Sequence, residues 1–247
     1  MNAARSLASI SEQPILDLPS EDEGSDPVEL LAYVADYYKG KITVSTSLGP
    51  QTLVIVDMLA KAGVSVPVFY LDTGLLFRET YELADRVRER YGIELTPVRP
   101  RLTVFEQAHR LGPVLWERNP DLCCHLRKVE PLAETLHGME AWITGLRRGH
   151  GASRSQVQQV EWDEKHGLVK VNPLAFWSRE QVQAWLRDND VPYNPLLDRG
   201  YRSVGCWPCT QAKADSSDER AGRWAGLAKT ECGMHTRLKV INTPVNY

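Results

Sequence analysis

The chain lacks any apolar run approaching the ~20 residues that cross a bilayer, so no membrane-spanning helix is expected. It lacks a strong excess of either charge: 29 Lys and Arg stand against 32 Asp and Glu, for a net charge of −3. That balance leaves no electrostatic footprint for nucleic acid or a membrane surface across the whole molecule. No internal repeat and no long low-complexity linker is present, which favours one domain over an array. Residues 1–26 contain no apolar stretch of signal-peptide type and are rich in Ser, Glu and Asp. They read as a mobile acidic arm, and the protein as cytoplasmic. A Walker A sequence is also missing.

What is present is a 43% hydrophobic content, enough for one sizeable α/β core. The first helix is expected from Pro27 to Tyr38, followed by a short buried strand, Ile42 to Ser45. A hydroxyl-rich loop, Ser45-Thr46-Ser47-Leu48-Gly49-Pro50-Gln51-Thr52, then leads into a helix over Thr52–Ala62. Strand, small-residue loop and helix aim backbone N–H groups at an anion, although an ordinary turn capped by Ser and Thr has the same local pattern. The pattern recurs. Val66–Leu71 is a second strand ending in Asp72-Thr73-Gly74, Phe77–Tyr91 an amphipathic helix, and Glu94–Val98 a third strand. Thr103–Arg110 reads as a short helix, and the pair Cys123-Cys124 opens another, with Leu126, Val129, Leu132 and Leu136 on its buried face. Ala141–Thr144 is a fourth strand.

This alternation predicts an α/β fold with a parallel twisted sheet flanked by helices. Ligands of such sheets bind beyond the carboxyl ends of the strands. The Ser-rich loop and Asp72-Thr73-Gly74 both fall there, which raises the anion-site reading above the simple turn. After the fourth strand comes Gly145-Leu146-Arg147-Arg148-Gly149-His150-Gly151-Ala152-Ser153-Arg154, a basic Gly-rich loop suited to an anion. A β-hairpin or edge strands around Lys165-His166-Gly167 are expected over Val157–Trp162 and Leu168–Val171, a helix over Ser178–Asn189, and a short helix bearing Arg220, Arg223 and Trp224. The expected organisation is an arm (1–26), an α/β nucleotide- and metal-binding domain (27–215), and a mobile C-terminal segment (216–247).

The five cysteines are distributed unevenly. Cys123 and Cys124 are adjacent, Cys206 and Cys209 form a Cys-Trp-Pro-Cys unit, and Cys232 stands apart in Glu231-Cys232-Gly233-Met234-His235. In a reducing compartment this odd set argues for metal ligands and a reactive thiol over disulfides. Four thiolates suit zinc or an iron–sulfur cluster. Adjacent cysteines are awkward around one zinc ion, whereas a [4Fe–4S] cube offers four separate corners; both metals remain open on spacing alone. Cys232 on a mobile segment is the candidate nucleophile.

Taken together these motifs resemble the assimilatory adenylyl-sulfate reductases, within the adenylyl-sulfate/phosphoadenylyl-sulfate reductase family of adenine-nucleotide α-hydrolase-like (PP-loop) fold. The resemblance covers Ile42 to His235. It rests on the modified PP-loop Ser45–Thr52, Leu71-Asp72-Thr73-Gly74, the block Cys123-Cys124-His125-Leu126-Arg127-Lys128, Gly145-Leu146-Arg147-Arg148, Cys206-Trp207-Pro208-Cys209 and Glu231–His235. One departure is Leu48-Gly49-Pro50-Gln51-Thr52, where many relatives carry an aromatic and then Gly-Ala-Glu-Asp. The resemblance implies that Cys123, Cys124, Cys206 and Cys209 hold a [4Fe–4S] cluster. It implies that adenosine 5′-phosphosulfate is bound by Ser45, Ser47, Thr73, Gly74, Lys128, Gly145, Arg147, Arg148, Arg220, Arg223 and His235. Cys232 would take the sulfo group, and thioredoxin or a glutaredoxin-like dithiol would release it as sulfite. A homo-oligomer is left open. Three other readings are a phosphoadenylyl-sulfate reductase, a non-catalytic zinc protein binding a nucleotide or RNA, and an ATP-using PP-loop ligase.

Overall fold

The computed structural model describes residues 25–213 and 218–235. The arm expected over residues 1–26 therefore lies outside the described residues except for its last two. Ser25 exchanges hydrogen bonds with Gln159, and Asp26 caps the first helix by accepting from Val28 and Glu29 N–H. Asp26 thus belongs to the folded unit, because its carboxylate satisfies two N–H groups that the helix leaves without partners.

Among the described residues the sheet has six strands: β1 (Ile42–Thr46), β2 (Val68–Leu71), β3 (Leu95–Val98), β4 (Ala141–Ile143), β5 (Val160–Asp163) and β6 (Leu168–Val171), in the order β3-β2-β1-β4-β6-β5. All pairs are parallel except β5 with β6. The expected parallel sheet is therefore mixed at one edge. The hairpin reading of Val157–Trp162 and Leu168–Val171 holds, with β5 antiparallel to β6, but of the two only β5 is an edge strand, because Leu168–Val171 also pairs with β4. All four of its residues are buried, as a strand covered on both faces requires.

Side chains alternate across the sheet with the two-residue period of a strand. Ile42, Val44, Val68, Tyr70, Ala141, Ile143, Val169 and Val171 face the larger core, with residues of α1 (Pro27–Tyr37), α2 (Pro50–Lys61), α3 (Arg78–Tyr91) and α8 (Arg179–Asp188). Phe69, Trp142 and Leu168 point to the opposite face and meet Leu132 and Leu136 of α7 (Glu130–Leu136). Between α3 and α7 the chain forms α4 (Val104–Leu111), α5 (Leu115–Arg118) and α6 (Pro120–Cys124). Thr103 and Glu106 form a reciprocal capping box on α4, and Ser178 and Gln181 do the same on α8.

The order of strands reverses between β1 and β4, where a crevice opens at their carboxyl ends. The loop after β1 is pinned from within: Thr46 Oγ1 lies 2.6 Å from Thr52 Oγ1 and accepts from Leu48 N–H at 2.8 Å. The end of β4 comes close to the start of α2 because residue 145 is glycine; a Cβ there would stand 2.7 Å from Thr52 Cγ2.

Candidate active site

One pocket occupies this crevice. It is lined by the whole loop Ser45–Thr52, by Thr73, Lys128, Gly145, His150, Arg154, Arg202, Arg220 and Arg223, and by Cys232, Met234 and His235. Cys232, expected on a mobile tail, is buried here at 5% exposure and packs with Cys124 and Trp224. Residues 218–235 are laid over the crevice by ion pairs that no local pattern announces. Glu231 accepts two hydrogen bonds from Arg154 and one from Arg220. Glu219 accepts from Arg147 Nη2 with both carboxylate oxygens, at 2.8 and 3.0 Å. Residues 216–217 and 236–247, the rest of the expected mobile segment, lie outside the described residues.

Three expected substrate contacts do not line the pocket. Arg147 is 1% exposed, committed to Glu219 and to the carbonyl of Trp177. Arg148 turns the other way, donating to Val157 O and Gln158 while its guanidinium lies 4.3 Å from the Phe176 ring centroid. Gly74 shapes a turn at φ +68° and gives its N–H to Asp72. Of the lining residues, His150 and Arg154 belong to the basic loop read as an anion site but are not among the named contacts, and Arg202 has no local signal. Arg154 belongs to the same basic loop as Arg147, and only the partner 77 residues away in sequence, Glu231, distinguishes them. The short helix expected around Arg220 and Trp224 is a succession of turns. Glycine at 205 leaves room for Arg223, whose guanidinium occupies the space a Cβ would take.

The cations are crowded. Burial, then Arg154 and Arg223, push Arg220 down to about 10. Repulsion of this kind within a cleft is what a bound anion relieves. His150 and His235 are held neutral by burial and neighbouring arginines, His150 down to about 2. Burial pushes the Cys232 thiol up, but Lys128, the N–H of Met234 and Arg220 outweigh it, and the thiol sits below its ordinary range. A thiolate favoured by cations is the nucleophilic form of cysteine.

A second, smaller cavity lies alongside. Cys123, Cys124, Cys206 and Cys209 all line it, with Trp116, Arg127, Lys128 and Trp224. The first two cysteines close α6, and a π-helical turn, His125–Val129, follows instead of the expected continuous α-helix. The wider turn buries Arg127 and Lys128 along with the cysteines. Arg127 then ties this turn to the loop after β2 by donating to Thr73 O at 2.5 Å. Cys206 is fixed to the same loop: Trp207 N–H donates to Leu75 O, and Thr73 Oγ1 stands 3.3 Å from Cys206 Sγ. None of the five cysteines is in a disulfide. Among the described residues no group of three His, Cys, Asp or Glu side chains is close enough to hold a metal ion as placed. The four sulfurs ring a cavity, and burial pushes Cys123 up to about 12 and Cys124 up to about 11. A soft donor set that resists ionising by itself fits a positively charged metal centre, which stabilises the thiolates.

Residues 41–212 match the phosphoadenosine phosphosulfate reductase domain. The chain belongs to the phosphoadenosine phosphosulfate reductase family. It is 40% identical over 226 residues to the adenosine 5′-phosphosulfate reductase of Staphylococcus epidermidis, covering 91% of this chain and 93% of that one. It is 44% identical over 215 residues to adenosine 5′-phosphosulfate reductase 2 of Bacillus subtilis, covering 87% and 91%. A phosphoadenosine 5′-phosphosulfate reductase of Gloeobacter violaceus is 42% identical over 229 residues, covering 92% and 95%. The crystal structure of phosphoadenylyl-sulfate reductase from Candida auris, a phosphate complex, superposes with a TM-score of 0.68 at 31% identity, covering 85% of this chain and 99% of that one. Yeast FAD synthetase superposes at 0.53 with 16% identity, a likeness of fold alone.

Proposed function

We propose that the protein is an assimilatory adenylyl-sulfate reductase that converts adenosine 5′-phosphosulfate to sulfite and AMP. The observation that carries this reading is the shared pocket: Cys232, the Ser45–Thr52 loop and the cations Lys128, Arg154, Arg220 and Arg223 line the same space. The Cys232 thiolate attacks the sulfate sulfur. An S–S bond forms, the bond from that sulfur to the bridging oxygen breaks, and AMP leaves with the oxygen. The cations neutralise charge on the phosphosulfate as it shifts toward AMP. A dithiol, thioredoxin in this reading, then attacks Cys232 Sγ. Sulfite departs with the electron pair of the S–S bond, and the second thiol of the reductant resolves the mixed disulfide. The two electrons come from the dithiol, which ends as a disulfide.

Cys123, Cys124, Cys206 and Cys209 would hold a [4Fe–4S] cluster, which supplies a rigid anchor and a local field beside the site. The adjacency of Cys123 and Cys124, awkward around one zinc ion, favours a cube with four separate corners. Named relatives include reductases of both nucleotides, and the two cysteine pairs favour the one without a 3′-phosphate. The test is incubation with labelled adenosine 5′-phosphosulfate in the absence of reductant. Intact-mass analysis should find one sulfo adduct, and peptide mapping should place it on Cys232. Release of AMP with the adduct elsewhere, or with none, would refute the nucleophile.

Lys128 lines both the nucleotide pocket and the cysteine cavity. Burial works against its charge, but the sulfurs of Cys206, Cys124 and Cys232 outweigh that and keep it protonated. Lys128→Ala is expected to lower kcat/KM about a hundredfold, the scale of one lost electrostatic donor. Iron and acid-labile sulfide per chain should stay near wild type. Equal losses of activity and cluster would show that Lys128 serves assembly instead.

A further inference from the structure

Trp142 makes contacts that neither the nucleotide pocket nor the cysteine cavity accounts for. It is the middle residue of β4, 1% exposed, and faces away from the larger core. Its indole N–H donates to Ser45 Oγ at 2.7 Å, at the first residue of the loop that lines the pocket. Its ring stacks on His235 with centroids 5.0 Å apart and planes 11° from parallel. Among the described residues His235 Nδ1 is buried without a hydrogen-bond partner, so the stack is a main contact on that imidazole. Met234, next to it, packs both against the Trp142 cluster and against the cluster containing Cys232.

The indole is itself held from the other side by the β5–β6 turn. Lys170 Nζ lies 5.4 Å from the ring centroid, and the His166 ring meets the indole edge-on at 5.4 Å and 80°. One carboxylate fixes both: Asp163 bonds Lys170 at 2.7 Å and His166 Nδ1 at 3.0 Å. The same turn reaches the nucleophile segment directly, since Lys165 donates to Gly233 O.

We propose that Trp142 is a positioning residue that couples the phosphate loop to the segment bearing Cys232. Ser45 Oγ accepts from the indole, so its own proton is directed elsewhere and is free to donate to a ligand oxygen. A ligand that holds Ser45 in that orientation holds the indole, and the indole holds His235 two residues beyond the neighbour of Cys232. Occupancy of the nucleotide crevice and docking of residues 231–235 therefore favour one another, and the coupling is reciprocal. The inference rests on the nucleotide reading of the pocket.

The experiment is amide hydrogen exchange on the full-length, cluster-loaded protein with and without AMP, with AMP binding measured separately by calorimetry. In the wild type AMP should slow exchange in residues 231–235 by about fivefold or more, the lower range of allosteric couplings. Trp142→Phe keeps a ring to stack on His235 but removes the N–H; it should still bind AMP, with the slowing reduced to about twofold or less. Ser45→Ala removes the acceptor without touching the core and should give the same loss, which covers a Trp142→Phe chain that does not fold. Wild-type slowing in both variants, or AMP binding to wild type without any slowing, overturns the coupling alone. Failure of wild type to bind AMP overturns the coupling and the nucleotide reading together.

Discussion

Cys232→Ser should lower turnover about a thousandfold or more while leaving AMP affinity and cluster content near wild type. The size follows from what the site gives the thiol. Cys232 is buried and in no disulfide, and Lys128, Arg220 and the N–H of Met234 favour its ionised form. A serine hydroxyl in the same place keeps the hydrogen bond and the volume but stays protonated. It can neither attack sulfur comparably nor form the S–S bond that a dithiol later cleaves. The measurement is steady-state sulfite release with excess thioredoxin, beside AMP calorimetry and iron analysis on the same sample. Retention of more than a few per cent of wild-type turnover would remove Cys232 from the mechanism. Loss of AMP binding in parallel would mean the substitution had displaced residues 218–235 rather than the reacting atom.

Much of this site is legible in the chain because its parts are local. The turn from β1 into α2, the adjacent cysteines and the Cys-Trp-Pro-Cys unit each carry their chemistry within a few residues, and strand alternation places them at one end of the sheet. Other features depend on contacts across long separations. Arg147 and Arg154 sit seven residues apart on one basic loop, yet Glu219 claims the first for the interior and Glu231 draws the second to the pocket. Nothing near either arginine reveals that sorting. The π-helical turn after Cys124 was hidden for a different reason. Helical and π periodicities differ by little over five residues, and only packing of Arg127 against Thr73 and Gln107 decides between them. The position of Cys232 belongs to the same class: its segment has no amphipathic pattern of its own, and distant ion pairs join the apolar contacts of Trp224 and Met234 in docking it.

Glu219→Gln is the substitution expected to cost the most stability. Arg147 is 1% exposed and Glu219, at the pocket wall, 12%, so the pair is largely withdrawn from water. Removing one charge from a buried pair leaves the other without compensation, at a cost of about 3 kcal/mol or more. His150, 3.4 Å from Glu219, brings no charge to replace it, because burial and the surrounding arginines keep it neutral. The expected result is a lower urea midpoint at unchanged slope, together with a higher KM, since Glu219 also anchors the segment that covers the nucleotide. The double variant Arg147→Met with Glu219→Leu separates the two consequences. An apolar pair of similar volume should recover stability to within about 1 kcal/mol of wild type, because it no longer pays for dehydrating two ions. It should not recover KM, because the covering segment then lacks the directional Arg147 Nη2 contact that sets its register. A Glu219→Gln protein as stable as wild type would show that the pair is solvated in practice. Full rescue of KM by the apolar pair would show that burial alone docks residues 218–235 over the crevice.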